Sequence, residues 1–316
     1  MNDKYILIKI ENIILIIFPI IYAIGTLGNI VSFKIFSRKR FKNTIFEIYY
    51  RYLILIETFI LQYVLFEFIV FSFHINIKSI FECNLINTIT EYYIYILSAS
   101  ASWTIACISL DRSIRVIYPQ KFSFKNKKIF QYFFCNLILI FNFIFYLPVL
   151  FKNYNQVNSA TQHNNDEPKI FNQSLNLTLK LCIEGKQVPH VYWMDFFNST
   201  ILPFSIMILS TISLLVFVFK SRKRLNRINS DYIKFAIESI AIDASFLILS
   251  LPLVSYSLIS IYIKIENELI DELIYVFTCD FYYLNFAILF YVNYSFNSIF
   301  KNEIILIANN FVKRFN

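Results

Sequence analysis

The sequence predicts an all-α membrane protein: a seven-transmembrane helix bundle with its N-terminus outside and a short amphipathic cytoplasmic C-terminal helix. Three observations carry that expectation. Hydrophobic residues make up 57% of the 316 and charged residues only 16%, against about 45–50% and about 25% in a soluble domain, so a water-soluble fold would expose wide apolar patches. The apolar residues gather into seven runs, each long enough for a helix rising ~1.5 Å per residue to cross ~30 Å of hydrocarbon. Basic residues concentrate in alternate connections between those runs, which gives the bundle a direction.

The first run, about 10–36, follows a short polar start and is too long for a cleaved signal, so it reads as a span. A connection carrying Lys34, Arg38, Lys39, Arg40 and Lys42 leads to the second, about 46–73. The third, about 84–116, ends on Arg112 and Arg115 and is followed by Lys121, Lys125, Lys127 and Lys128 before the fourth, about 129–151. A long polar stretch then carries the sequons Asn172-Gln173-Ser174 and Asn176-Leu177-Thr178. The fifth run, about 197–219, is joined to the sixth, about 232–263, by Lys220, Arg222, Lys223, Arg224, Arg227 and Lys234. The seventh, about 272–300, closes a membrane domain of residues 1–300, and 301–316 form the tail with Lys301, Lys313 and Arg314.

Short loops that keep Lys and Arg remain cytoplasmic, and these connections with the tail hold most of the 29 basic residues. Asp166, Glu167, Glu266, Glu268, Asp271 and Glu272 fall on the opposite side. The N-terminus is therefore expected outside, in a multi-pass protein of the plasma membrane. The net charge of +8 becomes a topology signal with lipid as partner, and no nucleic acid is implied. Asn172 and Asn176 lie where glycans are added. The tail mixes apolar residues with flanking bases, as an amphipathic helix on the inner leaflet does. After Phe300 it holds no Ser, Thr or Cys, so phosphorylation would use Ser123, Ser221 or Ser230.

The site chemistry is bounded from both directions. Five cysteines and three histidines show no metal-binding spacing, and Gly25-x-x-Gly28 lies in an apolar run without the Lys-Ser/Thr ending of a phosphate loop. No catalytic set and no metal centre is expected. Polar residues inside the spans say more, because an ionisable group at bilayer depth costs ~2.5–3.5 kcal/mol and tends to mark function. The third run ends Cys107-Ile108-Ser109-Leu110-Asp111-Arg112-Ser113-Ile114-Arg115-Val116-Ile117-Tyr118-Pro119. The first contains Gly28-Asn29, the second Leu53 and Glu57, and Trp103 precedes Arg112 by nine residues. Pro148, Pro203 and Pro252 punctuate the fourth, fifth and sixth, with Phe246 six residues before Pro252; the seventh ends Asn293-Tyr294-Ser295-Phe296-Asn297.

In this order these residues resemble the landmarks of rhodopsin-like (class A) G-protein-coupled receptors across nearly the whole chain. The Asn-Tyr-Ser-x-Asn form is similar to that of invertebrate FMRFamide and neuropeptide receptor-like sequences. The resemblance implies an extracellular ligand, a peptide above all, and a heterotrimeric G protein as partner. It assigns the coupling switch to Asp111, Arg112, Pro119, Pro252, Phe246 and Asn297, with Arg112 pinned by Asp111 at rest and freed as the sixth helix swings about Pro252. Asn29, Glu57, Asn293 and Asn297 would form a mid-membrane polar cluster; a protonated, hydrogen-bonded Glu57 and a sodium site both remain open there. The implied disulfide joins Cys83 to Cys182, although Cys83 lies four residues further from Arg112 than the family spacing. Cys107 and Cys135 read as buried apolar residues, and Cys279 could compete for a partner.

Ligand class narrows by exclusion. Ile94 stands where amine receptors carry their aspartate, and Tyr291 where opsins carry the retinal lysine. Acidic and aromatic residues of the outer bundle, with Glu67, Glu91, Tyr95, Trp193, Asp280 and Tyr283 as pocket candidates, suit a cationic, aromatic peptide terminus. An interfacial aromatic belt with solvated acids accounts for part of the same set. Three relay positions depart from the family: Ser250 replaces a tryptophan, Lys301 a tyrosine, and Thr211 a tyrosine facing the arginine. Asp231 and Tyr232 lie around the usual acidic partner of the arginine. These departures keep a chemosensory or degenerate, weakly coupling receptor with a non-peptide ligand in view. A transporter or channel would call for inverted repeats or broken mid-membrane helices, which the sequence lacks.

Overall fold

A computed structural model of the chain describes residues 2–42, 47–72, 80–117, 127–150, 193–225, 230–262 and 268–315. Helices α1 (Asn2–Phe36), α2 (Glu47–Ser72), α3 (Ile80–Ile117), α4 (Lys127–Phe145), α5 (Leu202–Leu225), α6 (Ser230–Tyr262), α7 (Glu268–Phe296) and α8 (Ser298–Phe315) follow one another, with a single turn at Lys39–Lys42 after α1. Among the described residues there is no strand, and seven helical segments are long and apolar enough to cross a membrane. They are Ile16–Phe36, Glu47–Phe66, Thr88–Ile114, Ile129–Leu150, Trp193–Lys220, Ile237–Ser260 and Leu273–Phe296. Each overlaps one of the seven expected runs. This is the architecture of a multi-pass membrane protein, since only helices and closed barrels satisfy their own backbone polar groups in lipid.

The bundle is sided. Ile129, Phe130, Leu209 and Ile248 turn large apolar side chains outward, while Ser100, Thr104, Asn142 and Asn293 are buried. Such a distribution places oil against lipid and hydrogen-bonding groups between helices. Tight approach of α1 to its neighbours depends on glycine. A Cβ added at Gly25 would lie 2.6 Å from Leu61 Cδ1 of α2 and 2.8 Å from Ala287 Cβ of α7, and one at Gly28 would lie 2.9 Å from Phe290 Cβ. Side chains at these positions would force the three helices apart.

Successive helices alternate in direction, so the bundle has an N-terminal face, where α1, α3, α5 and α7 begin, and a C-terminal face, where they end. Proline shapes the rods between the two faces. Pro148 has no N–H to donate, and α4 ends just before it, at Phe145, with a turn closed by Val149 N–H on Tyr146 O (2.9 Å). Six residues, Phe196–Ile201, form a wide π-type turn immediately ahead of Pro203, with Leu202 N–H donating to Phe197 O. The turn takes up the backbone bond that proline cannot make and directs Asn198, Ser199 and Thr200 into the bundle. Pro252 lies within continuous α6.

The seventh helix stops at Phe296, short of the expected 300, because Asn297 caps the next one. Asn297 Oδ1 accepts from Phe300 N–H at 2.9 Å, the bond an N-cap makes to the third helical residue. α8 then runs across the C-terminal face. Phe300 packs on Phe36 (centroids 5.4 Å) and Phe290 (5.8 Å), and Phe36 stacks on Tyr50 at 4.6 Å. Glu303 pairs with Arg38 (2.8 Å) and Arg40 (3.3 Å) beyond α1.

Candidate functional site

The charged centre of the C-terminal face is Arg112, near the end of α3. Its side chain is 1% exposed, and its Nη2 donates to Glu238 Oε1 of α6 at 2.9 Å. The same nitrogen donates to the Tyr50 hydroxyl of α2, and the guanidinium lies 5.6 Å from that ring's centroid. Asn297 Nδ2 donates to the same Glu238 oxygen at 3.1 Å. One carboxylate thus gathers α3, α6 and the α7–α8 junction around a buried cation. Charge-assisted bonds of this kind are roughly twice as strong as neutral ones.

One helical turn deeper, the pairing repeats with different chemistry. Ser109 precedes Arg112 by three residues, on the same side of α3, and donates to Asp243 Oδ1 of α6. Thr211 of α5 donates to Asp243 Oδ2 at 2.8 Å. Two residues of α3 therefore meet two carboxylates of α6 in antiparallel register. Toward the middle, Phe246 packs edge-on against Phe204 of α5 (5.5 Å, 89°), and Asn285 of α7 donates to Ser250 of α6 at 3.1 Å. Ser250 thus joins α6 to α7 by a hydrogen bond.

The expected switch residues divide accordingly. Arg112, Phe246, Pro252 and Asn297 lie along this path; Asp111 is half-buried beside Arg112, and Pro119 falls outside the described residues. Sequence reasoning sought the acidic partner of Arg112 at Asp111 and around Asp231 and did not name Glu238, which pairs with it across the bundle; the side chain of Asp231 lies outside the described residues. The signal that singled out Glu57, an ionisable residue inside an apolar run, was equally present at Glu238 and Asp243.

Asn29 and Glu57 lie near one level of the bundle, and Asn293 follows Phe290, which meets Gly28, by three residues of α7. Asn29 follows Gly25 by one turn and Glu57 precedes Leu61 by one turn, with Gly25 and Leu61 in contact range. All three are buried, and among the described residues Asn29 Oδ1, Glu57 Oε2 and Asn293 Oδ1 find no hydrogen-bond partner. Asn297 leaves this group for Glu238 and the α8 cap. Asn293, which also starts a sequon, is fully buried.

On the N-terminal face the six pocket candidates separate. Tyr95 stacks on Tyr146 of α4 (5.6 Å, 14°), while Trp193 packs on Phe196 and Phe197 at the start of the α5 segment. Between them runs a network that sequence reasoning missed. Trp103 Nε1 donates to Asn198 Oδ1 (3.1 Å), Asn198 to Asn142 Oδ1 (2.8 Å), Asn142 to Ser100 (3.1 Å), and the Tyr146 hydroxyl to Asp195 Oδ1 (2.7 Å). Asp280 and Tyr283 lie elsewhere, on the side of α7 that meets α1 and α2. Tyr282, hydrogen-bonded to Ser98, stands between the groups. Glu91 is half-buried on α3, and Glu67 follows Tyr63 by one turn of α2, its side chain outside the described residues. Cys83 lies on α3, but its side chain and all of Cys182, Asn172 and Asn176 fall outside the described residues, and the implied disulfide with them. Cys135 is buried as expected, whereas Cys107, also expected to be buried, is half-buried. No family model matches the chain, and no curated protein matches it significantly.

Proposed function

We propose that this chain is a receptor of the rhodopsin-like, G-protein-coupled kind, with the N-terminal face outside the plasma membrane and the C-terminal face toward the cytoplasm. One observation carries the reading: Arg112, buried at the end of α3, is held by Glu238 on the proline-containing α6 and shares that carboxylate with Asn297 of α7. An arginine locked to a helix that can bend at Pro252 makes a two-state element. In the resting state Glu238 keeps α6 against α3. Displacement of the inner end of α6 separates Arg112 from Glu238 and opens a basic cleft for a heterotrimeric G protein. An extracellular ligand that binds the displaced conformer better shifts the population toward it. No bond is made or broken, and the protein acts as a signal transducer. At mid-membrane, Glu57, Asn29 and Asn293 offer oxygen ligands of the type a sodium ion takes, which would steady the resting packing of α1, α2 and α7.

The peptide class rests on the acidic and aromatic residues of the N-terminal face. A second reading, a weakly coupling receptor with a non-peptide ligand, draws on Ser250 and Thr211, whose hydroxyls are committed to Asn285 and Asp243 at positions where the family keeps its relay aromatics. Nucleotide exchange in cells expressing wild-type or Arg112→Ala protein at matched surface levels, challenged with amidated peptides, separates the two. A peptide response lost in the Arg112 variant supports the receptor reading. A full response in that variant overturns it, and silence of both favours the second reading.

A further inference from the structure

A carboxylate removed from water needs a hydrogen-bond or charge partner, and burial without one is costly. Asp195 and Asp243 obey that rule through hydroxyl donors. Asp280 does not: it is 6% exposed, and among the described residues neither Oδ1 nor Oδ2 has a hydrogen-bond partner. Its surroundings follow from the register of α7. Asp280, Tyr283 and Ala287 are spaced i, i+3, i+7 and share one side of the helix. Ala287 lies against Gly25 of α1. Tyr283 packs on Phe18 of α1 (6.2 Å, 64°) and on Tyr63 of α2 (6.4 Å, 55°). Asp280 therefore sits one turn nearer the N-terminal face, on the side of α7 where α1 and α2 converge.

We infer that Asp280, walled by Phe18, Tyr63 and Tyr283, is a subsite for one organic cation, a protonated amine or guanidinium carried on an apolar body. Aromatic faces attract cations, and their hydrocarbon bulk fits an apolar stem. A single carboxylate supplies too few oxygens for a divalent metal, which takes six or more in the case of calcium. The subsite deepens the receptor reading, because the cation would be the basic end of the extracellular ligand, yet its chemistry stands without G-protein coupling.

Purified full-length protein in nanodiscs tests it, with phenethylamine as probe, 2-phenylethanol as its uncharged counterpart and calcium chloride as the metal arm. The amine should bind and raise the unfolding temperature, whereas the alcohol and calcium should not. Asp280→Asn should weaken amine binding by roughly tenfold or more, the loss of a charge-assisted contact. It should also leave the unliganded unfolding temperature unchanged or higher, because the carboxylate it removes has no hydrogen-bond partner among the described residues. Equal binding of amine and alcohol, equal binding by the variant, or a lowered unliganded temperature would each overturn the subsite. Asp280-dependent binding combined with absent nucleotide exchange would sink the coupling mechanism while the subsite survives.

Discussion

Removing the Glu238 carboxylate tests the reasoning behind the lock most directly. The pair is buried on both sides, with side chains 1% and 8% exposed, so solvent screens it little. Breaking such a pair by deleting one partner costs ~3–5 kcal/mol, because the other charge is left uncompensated. In Glu238→Ala the Tyr50 hydroxyl and ring still face Arg112, which puts the expected loss near the lower end, ~3 kcal/mol. Arg112→Ala strands Glu238 with Asn297 alone and should cost a similar amount. Once either charge is gone the second deletion removes little more, so a double-mutant cycle should return a coupling of roughly 2–3 kcal/mol. Reversible unfolding in mixed micelles, followed by circular dichroism, measures all four proteins. Effects that add to within ~0.5 kcal/mol would show that Arg112 and Glu238 do not act as a pair, and the lock would have to be abandoned.

Other expectations follow from neighbouring features. Gly25→Ala inserts a methyl 2.8 Å from Ala287 Cβ and 3.1 Å from its Cα. Backbone has to move, and ~1–3 kcal/mol of stability should be lost, whereas Gly→Ala at an unconstrained helix site would stabilise; unfolding midpoints decide between them. Asn198→Leu leaves the donors of Trp103 and the acceptor of Asn142 without their partner, at ~1–3 kcal/mol for each buried group stranded, and the variant's indole fluorescence should shift as Trp103 loses its bond. The Glu303 carboxyl is held below the usual carboxylate range by hydrogen bonds from Arg38 first and then Arg40, against the opposing effect of burial. A depressed folded value means that this contribution is present above the unfolded value of ~4.3 and is lost as pH falls through the folded one. A spin label at exposed Val312 of α8 should therefore gain mobility only in acid below the ordinary carboxylate range, and Glu303→Gln should reproduce that mobility at neutral pH; an unchanged spectrum in the variant would refute the docking role.

The helices, their number and their rough limits were legible in the chain because the membrane makes them local properties. A run of apolar residues either spans hydrocarbon or does not, and alternate clusters of Lys and Arg suggest a direction without any packing. Prolines announced where rods would deviate, and Arg112 stood out by its motif. What Arg112 touches was another matter. Glu238 lies 126 residues away, and nothing local marks it as the partner until α6 is rotated into place against α3. Pro203 predicted a kink, but the wide turn before it, and the swing of Asn198 into contact with Trp103 and Asn142, needed neighbouring helices to receive it. Asn297 read as one member of a mid-membrane cluster, yet it caps α8 and reaches Glu238 because α7 ends a turn early.

Sequence by itself determined the class of protein, since solvation by lipid acts on each segment separately and leaves the helix as its stable form. Tertiary structure alone decided the partners: which carboxylate neutralises Arg112, which hydroxyls hold Asp243, and why Asp280 has none among the described residues. Those choices depend on the rotation of each helix about its axis and its register against the next. Both are set by close packing at points such as Gly25 on Leu61 and Ala287, a property of helices in contact that no single helix carries.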